Sequence, residues 1–275
     1  MNLSKTDGGR YPRPGTVMEN NAAESASTRL KVLRTIRFAV REAWDALGLL
    51  CAASFTLFLA ASVPIFLALR SIPLGILSAG LLLAPLFAGT CYLAHKVFEH
   101  DEPAYGDLWR GFRRLYFRAV GVAAVQAFGL AVLVSNMAFY GRRPGFGSLL
   151  AMTGALYVFV FFLLNCLYHY PLLIAAEEGI IRREGGGKAR LRAVFKNGLL
   201  LAIASPGYAF GLLLFVAAVT IPLAISAVGM ALVGAAFPAF VCMRATRDQL
   251  IHRGVIPPDP DPDEPVTDEV WKMRG

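Results

Sequence analysis

Charge is what this sequence has least of, and the deficit falls in long stretches. Residues 198–243 contain no Asp, Glu, Lys or Arg, and four further uncharged runs lie upstream, at 46–69, 71–95, 119–141 and 144–176. Charged residues make up 17% of the chain, against about 25% in ordinary globular domains. With 56% hydrophobic residues and a mean hydropathy of +0.54, a water-soluble fold is excluded. Cysteine is scarce too. Cys51, Cys91, Cys166 and Cys242 stand singly in or beside apolar runs. That spacing excludes a CxxC metal or redox motif and a disulfide framework, and leaves small packing residues as their expected role.

Signatures of chemistry are missing as well. Gly185-Gly186-Gly187-Lys188 lacks the GxxxxGK[ST] spacing of a phosphate loop and reads as a hinge, and no serine hydrolase or zinc protease signature occurs. No ionisable Asp, Glu, Lys or Arg interrupts the apolar runs, so ion-coupled transport lacks its usual intramembrane group. Neither a catalytic residue, a cofactor nor a metal site is expected, and the chain is not expected to be an enzyme.

What is present is a set of membrane spans. At 1.5 Å per residue, a bilayer core of about 30 Å needs roughly 20 residues. Each of the first four runs supplies one crossing, and the run at 198–243 supplies two, with a turn expected near Thr220 to Pro222. The runs are continuous and do not alternate every second residue, which points to helices and not a barrel. The first 27 residues are polar, and the run at 46–69 starts too late and is too long for a secretory leader, so an uncleaved anchor is expected there.

Basic residues then orient the chain. Of 27 Lys and Arg, all but Arg70, Arg142 and Arg143 fall on one side once six crossings are drawn. The positive-inside rule places both termini in the cytoplasm of a multi-pass protein of the inner (plasma) cell membrane. The net charge of +8 is accounted for by topology, so nucleic acid is not an expected partner.

Three times a basic amphipathic stretch leads into apolar sequence. In the first, Leu33, Ile36, Val40 and Trp44 form a stripe, with Lys31, Arg34, Arg37 and Arg41 off it. In the second, Leu108, Phe112, Leu115, Tyr116 and Ala119 share a face, and Arg110, Arg113, Arg114 and Arg118 lie mostly away from it. The third sets Leu191, Val194, Phe195 and Leu199 against Lys188, Arg192 and Lys196. The expected fold is all-α and polytopic: six transmembrane helices as three hairpins, each preceded by a basic interfacial helix. Residues 28–250 would form this domain, between a disordered N-terminus (1–27) and a disordered, acidic, proline-rich tail (251–275). Arg34, Arg37, Arg41, Arg110, Arg113, Arg114, Arg192 and Lys196 are candidates for contact with anionic inner-leaflet headgroups. Membrane-proximal helix ends charged by topology alone are the competing reading.

Polar groups inside the spans are few. Asn165 and His169 stand four apart on one helix face, beside Tyr168, Tyr170 and Pro171, and are the candidate ligand-binding residues. A satisfied structural pair, or a bond to a carbonyl freed by Pro171, is the plainer alternative. Glu177 and Glu178, with His100, Asp101 and Glu102, are expected to be solvated loop carboxylates and not a metal or acid–base site. Packing faces are expected at Gly75, Ala79, Gly80/Ala84/Ala88, Gly207/Gly211 and Ala227/Ala231/Ala235.

The segment APLFAGTCYLAHKVFEHDEPAYGDLWRGFRR, from Ala84, resembles the part of the YesL-like bacterial membrane proteins in which a small-residue span leads through a charged loop to an aromatic, basic helix. YHYPLLIAAEEG, from Tyr168, and ARLRAVFKNGLLLAIASPGYAFGLLLF, from Ala189, are similar to the same family's fourth span and later basic helix. The resemblance implies a six-helix inner-membrane protein with no catalytic residues to carry over, and an accessory role near carbohydrate uptake. The expected function is therefore a non-enzymatic accessory or scaffold component beside a membrane complex such as a carbohydrate transporter. The alternative is a small homo-oligomeric transporter or channel for an uncharged or lipidic substrate.

Overall fold

A computed structural model describes residues 31–99, 102–143, 145–180 and 191–257. The predicted disordered N-terminus, residues 258–275 of the predicted tail, His100, Asp101 and the glycine hinge at 185–188 lie outside these residues, whereas residues 251 and 252, also assigned to the tail, are helical. Among the described residues every regular element is helical. Helix α1 covers residues 31–45. It is followed by α2 (Leu47–Arg70), α3 (Ile72–Phe98), α4 (Tyr105–Gly141), α5 (Phe146–Glu177), α6 (Leu191–Ala204) and α7 (Pro206–Ile225). The last span, Ala227–His252, consists of a short α8 (Ala227–Gly229), a π-helical turn (Met230–Gly234) and α9 (Phe237–His252). Six helices are long and apolar enough to cross a membrane: α2, α3, α4, α5, α7 and the composite last span. The chain is thus an all-helical, multi-pass membrane protein.

Three boundaries differ from expectation. The second basic stretch is not a separate helix, because α4 continues without a break for 37 residues. At about 55 Å it is far longer than a bilayer core. No proline falls between Asp107 and Gly141 to interrupt it. Next, the run at 198–243 does not begin as a span. Its first residues finish α6, and Ser205, non-helical at φ −146° and ψ 66°, precedes Pro206 at the start of α7. A residue before proline is pushed out of the helical region, which fixes the break there. Finally, the turn within that run falls at Ser226, not at Thr220 to Pro222. Pro222 is absorbed in the last turn of α7, and the Ser226 hydroxyl instead accepts the Gly229 N–H at 3.1 Å to start the next helix.

Burial is concentrated at one end of the bundle. Apart from Pro64, the buried residues of α2 (Leu50, Ala53, Leu57), and those of α4 (Leu108, Leu115, Val122) and α7 (Tyr208, Ala209, Leu212), lie in the first halves of those helices. Apart from Gly75, those of α3 (Ala84 to Phe98), and those of α5 (Leu164 to Ala175), lie in the last halves, and α9, the later part of the last span, is buried along most of its length. Because successive spans run in opposite directions, all of these segments meet at one end. That end also carries α1, α6 and every described Lys and Arg except Arg70, Arg142 and Arg143. At the opposite end Phe128, Phe146, Tyr157 and Ile225 are exposed.

Helix α3 is central, touching α2, α4, α5 and α9. It packs tightly on α4. A Cβ on Gly89 would lie 2.5 Å from the Leu108 carbonyl oxygen, and one on Gly111 would lie 2.6 Å from Tyr92 Cβ and 3.1 Å from Gly89 Cα. Of the expected packing faces, Ala84 and Ala88 are buried and Gly75 sits against Ala68, whereas Gly80 has nothing within 4 Å of its Cβ position. Gly211 receives Val32 of α1 at 3.3 Å. On the other flank, the π-turn leaves the Ala236 N–H to a side-chain partner: Ser54 Oγ of α2 accepts it at 3.1 Å in a buried position.

Two outcomes test this packing. Gly89→Ala, with its Cβ against a backbone oxygen, is expected to lower stability by about 1–3 kcal/mol, while Gly80→Ala, with open space for its Cβ, is expected to raise it by up to about 1 kcal/mol, as read by thermal unfolding in mild detergent. Ser54→Ala strands a buried N–H and is expected to cost about 1–3 kcal/mol in the same assay, whereas Ser62→Ala, on the exposed part of α2, costs nothing measurable.

Candidate functional site

The polar pair read from the sequence is buried at the seam of α4, α5 and α6. His169 is fully enclosed and Asn165 nearly so. Gln126 of α4 lies across from them, its Nε2 2.9 Å from His169 Nδ1. With the Gln126 amide donating, the imidazole proton resides on Nε2. From α6, the Phe195 ring meets the imidazole edge-on at 4.3 Å between centroids. Gly198 completes the wall: a Cβ there would lie 2.6 Å from Asn165 Oδ1 and 3.5 Å from His169 Nε2.

Two facing groups in this cluster have no hydrogen-bond partner, Asn165 Oδ1 and His169 Nε2. One is an acceptor and the other, in the tautomer set by Gln126, a donor. Side by side they complement a hydroxyl or a single water. The bond expected to a carbonyl freed by Pro171 is replaced by the one to Gln126. Tyr170 turns away to meet Phe87 edge-on at 5.3 Å. Gln126 and Gly198 complete the cluster from distant parts of the chain. Gln126 is polar within an apolar run, but nothing local in the sequence ties it to His169.

The carboxylates are not a solvated loop pair. Glu177 accepts from Arg114 Nε at 3.1 Å and from Arg118, and Glu178 accepts from Arg114 at 2.8 Å. These bonds tie the basic ends of α4 and α5 together. Among the described residues no group of three or more His, Cys, Asp or Glu is placed to hold a metal ion.

The eight basic candidates divide by what they touch. Arg34, Arg37 and Arg41 are exposed on α1, Arg113 is exposed on α4, and Arg192 and Lys196 are exposed on α6. Arg110 pairs with Asp107 at 2.6 Å, and Arg114 is held by the glutamates. A second polar junction, unforeseen from sequence, pins α1 to α7 and α9. Thr35 donates to Asp248 at 2.6 Å and lies 2.9 Å from the Tyr208 hydroxyl. Arg244 reaches Glu42 at 3.3 Å and Asp248 at 3.1 Å, with its guanidinium 5.0 Å from the Phe38 ring centre. The spacing of Arg244 and Asp248, four apart on one helix, was the available signal.

Gly198→Ala is expected to displace the Asn165 carboxamide and destabilise the protein, and Asn165→Ala to relieve most of that loss. A double-mutant cycle on thermal unfolding should therefore show a coupling of about 0.5–3 kcal/mol between the two positions.

Comparison with family models, with curated proteins and with solved structures finds no match for this chain.

Proposed function

We propose that this protein is a non-enzymatic accessory or scaffold component of the inner membrane, standing beside a membrane complex such as a carbohydrate transporter. Both termini are cytoplasmic in this reading, and the six spans work as three hairpins, each led by a basic stretch. The observation that carries it is the exposure of the non-basic halves of the spans. On α5, Gly147 and Gly154 have nothing within 4 Å of their Cβ positions, and Leu149, Leu150, Leu156 and Val158 are exposed around them. Lipid offers helices no hydrophobic drive to associate, so small residues with open space beside them are where another helix can approach closely. The resemblance to the YesL-like proteins points the same way.

A second reading, a homo-oligomeric transporter or channel for an uncharged or lipidic substrate, is favoured by the unpartnered Asn165 Oδ1 and His169 Nε2. Crosslinking in native membranes, followed by mild solubilisation and mass spectrometry, separates the two. Recovery of a defined complex, lost when Gly147→Leu and Gly154→Leu are introduced together, is the expected result for an accessory subunit. Recovery of the chain with itself alone moves the transporter reading forward, and recovery of no reproducible partner sinks the scaffold.

A further inference from the structure

Helix α1 has three faces and only one of them meets the protein. At about 100° per residue, Thr35, Ala39 and Ala43 project together, and all three are buried. They are held by the Thr35 bonds to Asp248 and Tyr208, and Glu42 at the edge of the same face by Arg244. Leu33, Val40 and Trp44 project the other way within about 40° of one another. They are 61%, 43% and 70% exposed. Beside that apolar stripe stand Arg37, Arg41 and Arg34, all exposed and none with a carboxylate partner among the described residues. Asp45 is the one exposed acidic residue of the helix.

The other two basic stretches are built differently. On α4 the apolar stripe faces inward, with Leu108, Leu115 and Ala119 fully buried, and Arg110, Arg114 and Arg118 are engaged by Asp107, Glu177 and Glu178. On α6 Val194 is buried, Leu191 lies over Gly121, and two exposed cations remain. Only α1 among the three combines a free apolar stripe with a free basic one.

We propose that α1 is the chain's docking surface for anionic phospholipid, with Leu33, Val40 and Trp44 in the boundary between headgroups and acyl chains and Arg34, Arg37 and Arg41 on the headgroup phosphates. Ala46 alone separates α1 from the span α2, so Trp44 sits where the membrane begins, the level at which tryptophan is favoured. An apolar stripe of this kind sinks about 5–10 Å below the headgroup boundary, and flanking cations are attracted to anionic lipid. The face bolted to α7 and α9 sets the orientation, so the helix arrives at the leaflet already turned. This docking requires only the membrane spans and is independent of whether a partner complex is recovered.

The test uses the full chain carrying Trp109→Phe and Trp271→Phe, which leaves Trp44 as its one tryptophan, reconstituted in mixed phosphatidylglycerol and phosphatidylcholine vesicles. Quenching by acyl-brominated phosphatidylglycerol is compared with quenching by acyl-brominated phosphatidylcholine at the same total composition. The expected result is a several-fold excess for the anionic lipid at low salt, reduced in high salt and falling to parity when Arg34→Gln, Arg37→Gln and Arg41→Gln are combined. Arg192→Gln with Lys196→Gln should leave the excess in place. Equal quenching by the two lipids, or no quenching of Trp44 by either, overturns the proposal, as does an excess that survives in the triple variant. The salt dependence of the parent chain decides the matter even if the triple variant fails to fold.

Discussion

The contact on which this bundle depends is the crossing of α3 and α4, where Gly89 and Gly111 let two backbones meet with no side chain between them. In lipid, helices gain nothing from hiding apolar surface, because the surroundings are equally apolar. Association must come from close van der Waals contact, and that requires residues without bulk at the crossing. With α4 seated so closely, α3 presents its remaining faces to α2, α5 and α9. The edge-on contacts of Phe98 with Phe240 at 5.9 Å and of Phe87 with Tyr170 at 5.3 Å then fill the space around it.

An apolar interior also demands that each polar group have a local answer, and most of them do. Thr90 and Thr246 bond back to the carbonyls of Leu86 and Cys242, one turn earlier on their own helices. The break between α6 and α7 is bridged by Gln249, which donates to Ser205 Oγ at 2.8 Å. Apart from Arg70, Arg142 and Arg143 the described charges lie at the basic end, where the buried Asp107 and Arg244 have ionic partners. Asn165 Oδ1 and His169 Nε2 are exceptions, as are the Tyr168 hydroxyl and Thr220 Oγ1, and each unmade bond in such a place costs about 1–3 kcal/mol.

The spans were legible in the sequence because absence of charge is a local property that no tertiary contact can disguise. Asn165 and His169 were legible as a pair for a similar reason, being four apart on one helix. What the sequence did not carry was partnership across the chain. A stripe of apolar residues at helical spacing announces a face but not what the face meets. Leu108, Leu115 and Ala119 turn into the protein, whereas Leu33, Val40 and Trp44 turn out of it. Glycine behaved likewise. Gly80, in a regular four-residue ladder, meets nothing, and Gly89 and Gly111, in no ladder at all, make a crossing as close as that of Gly75 on Ala68. A glycine inside a helix costs roughly 1 kcal/mol against alanine, so each signals some reason for being there without saying which neighbour supplies it.

The two ends of the molecule are held by different physics, and this decides where it can move. At the basic end, close packing is reinforced by Arg114 and Arg118 on Glu177 and Glu178, and by Arg244 on Glu42 and Asp248, so separating the helices there would break contacts and strand charges at once. At the opposite end no carboxylate is present. Arg70 and Arg143 rest on the faces of Phe66 and Phe139, at 5.6 Å and 4.0 Å, Arg70 within α2 and Arg143 just past the end of α4, so neither ties two spans together. Few contacts between distant helices are lost if those halves shift, because lipid replaces one apolar neighbour with another. Rearrangement is therefore cheapest by tilting of the non-basic halves about a fixed basic base. On α4, Gln126 stands about two turns beyond Arg118, so the Asn165 and His169 seam lies at the inner margin of that base, next to where the tilting halves begin.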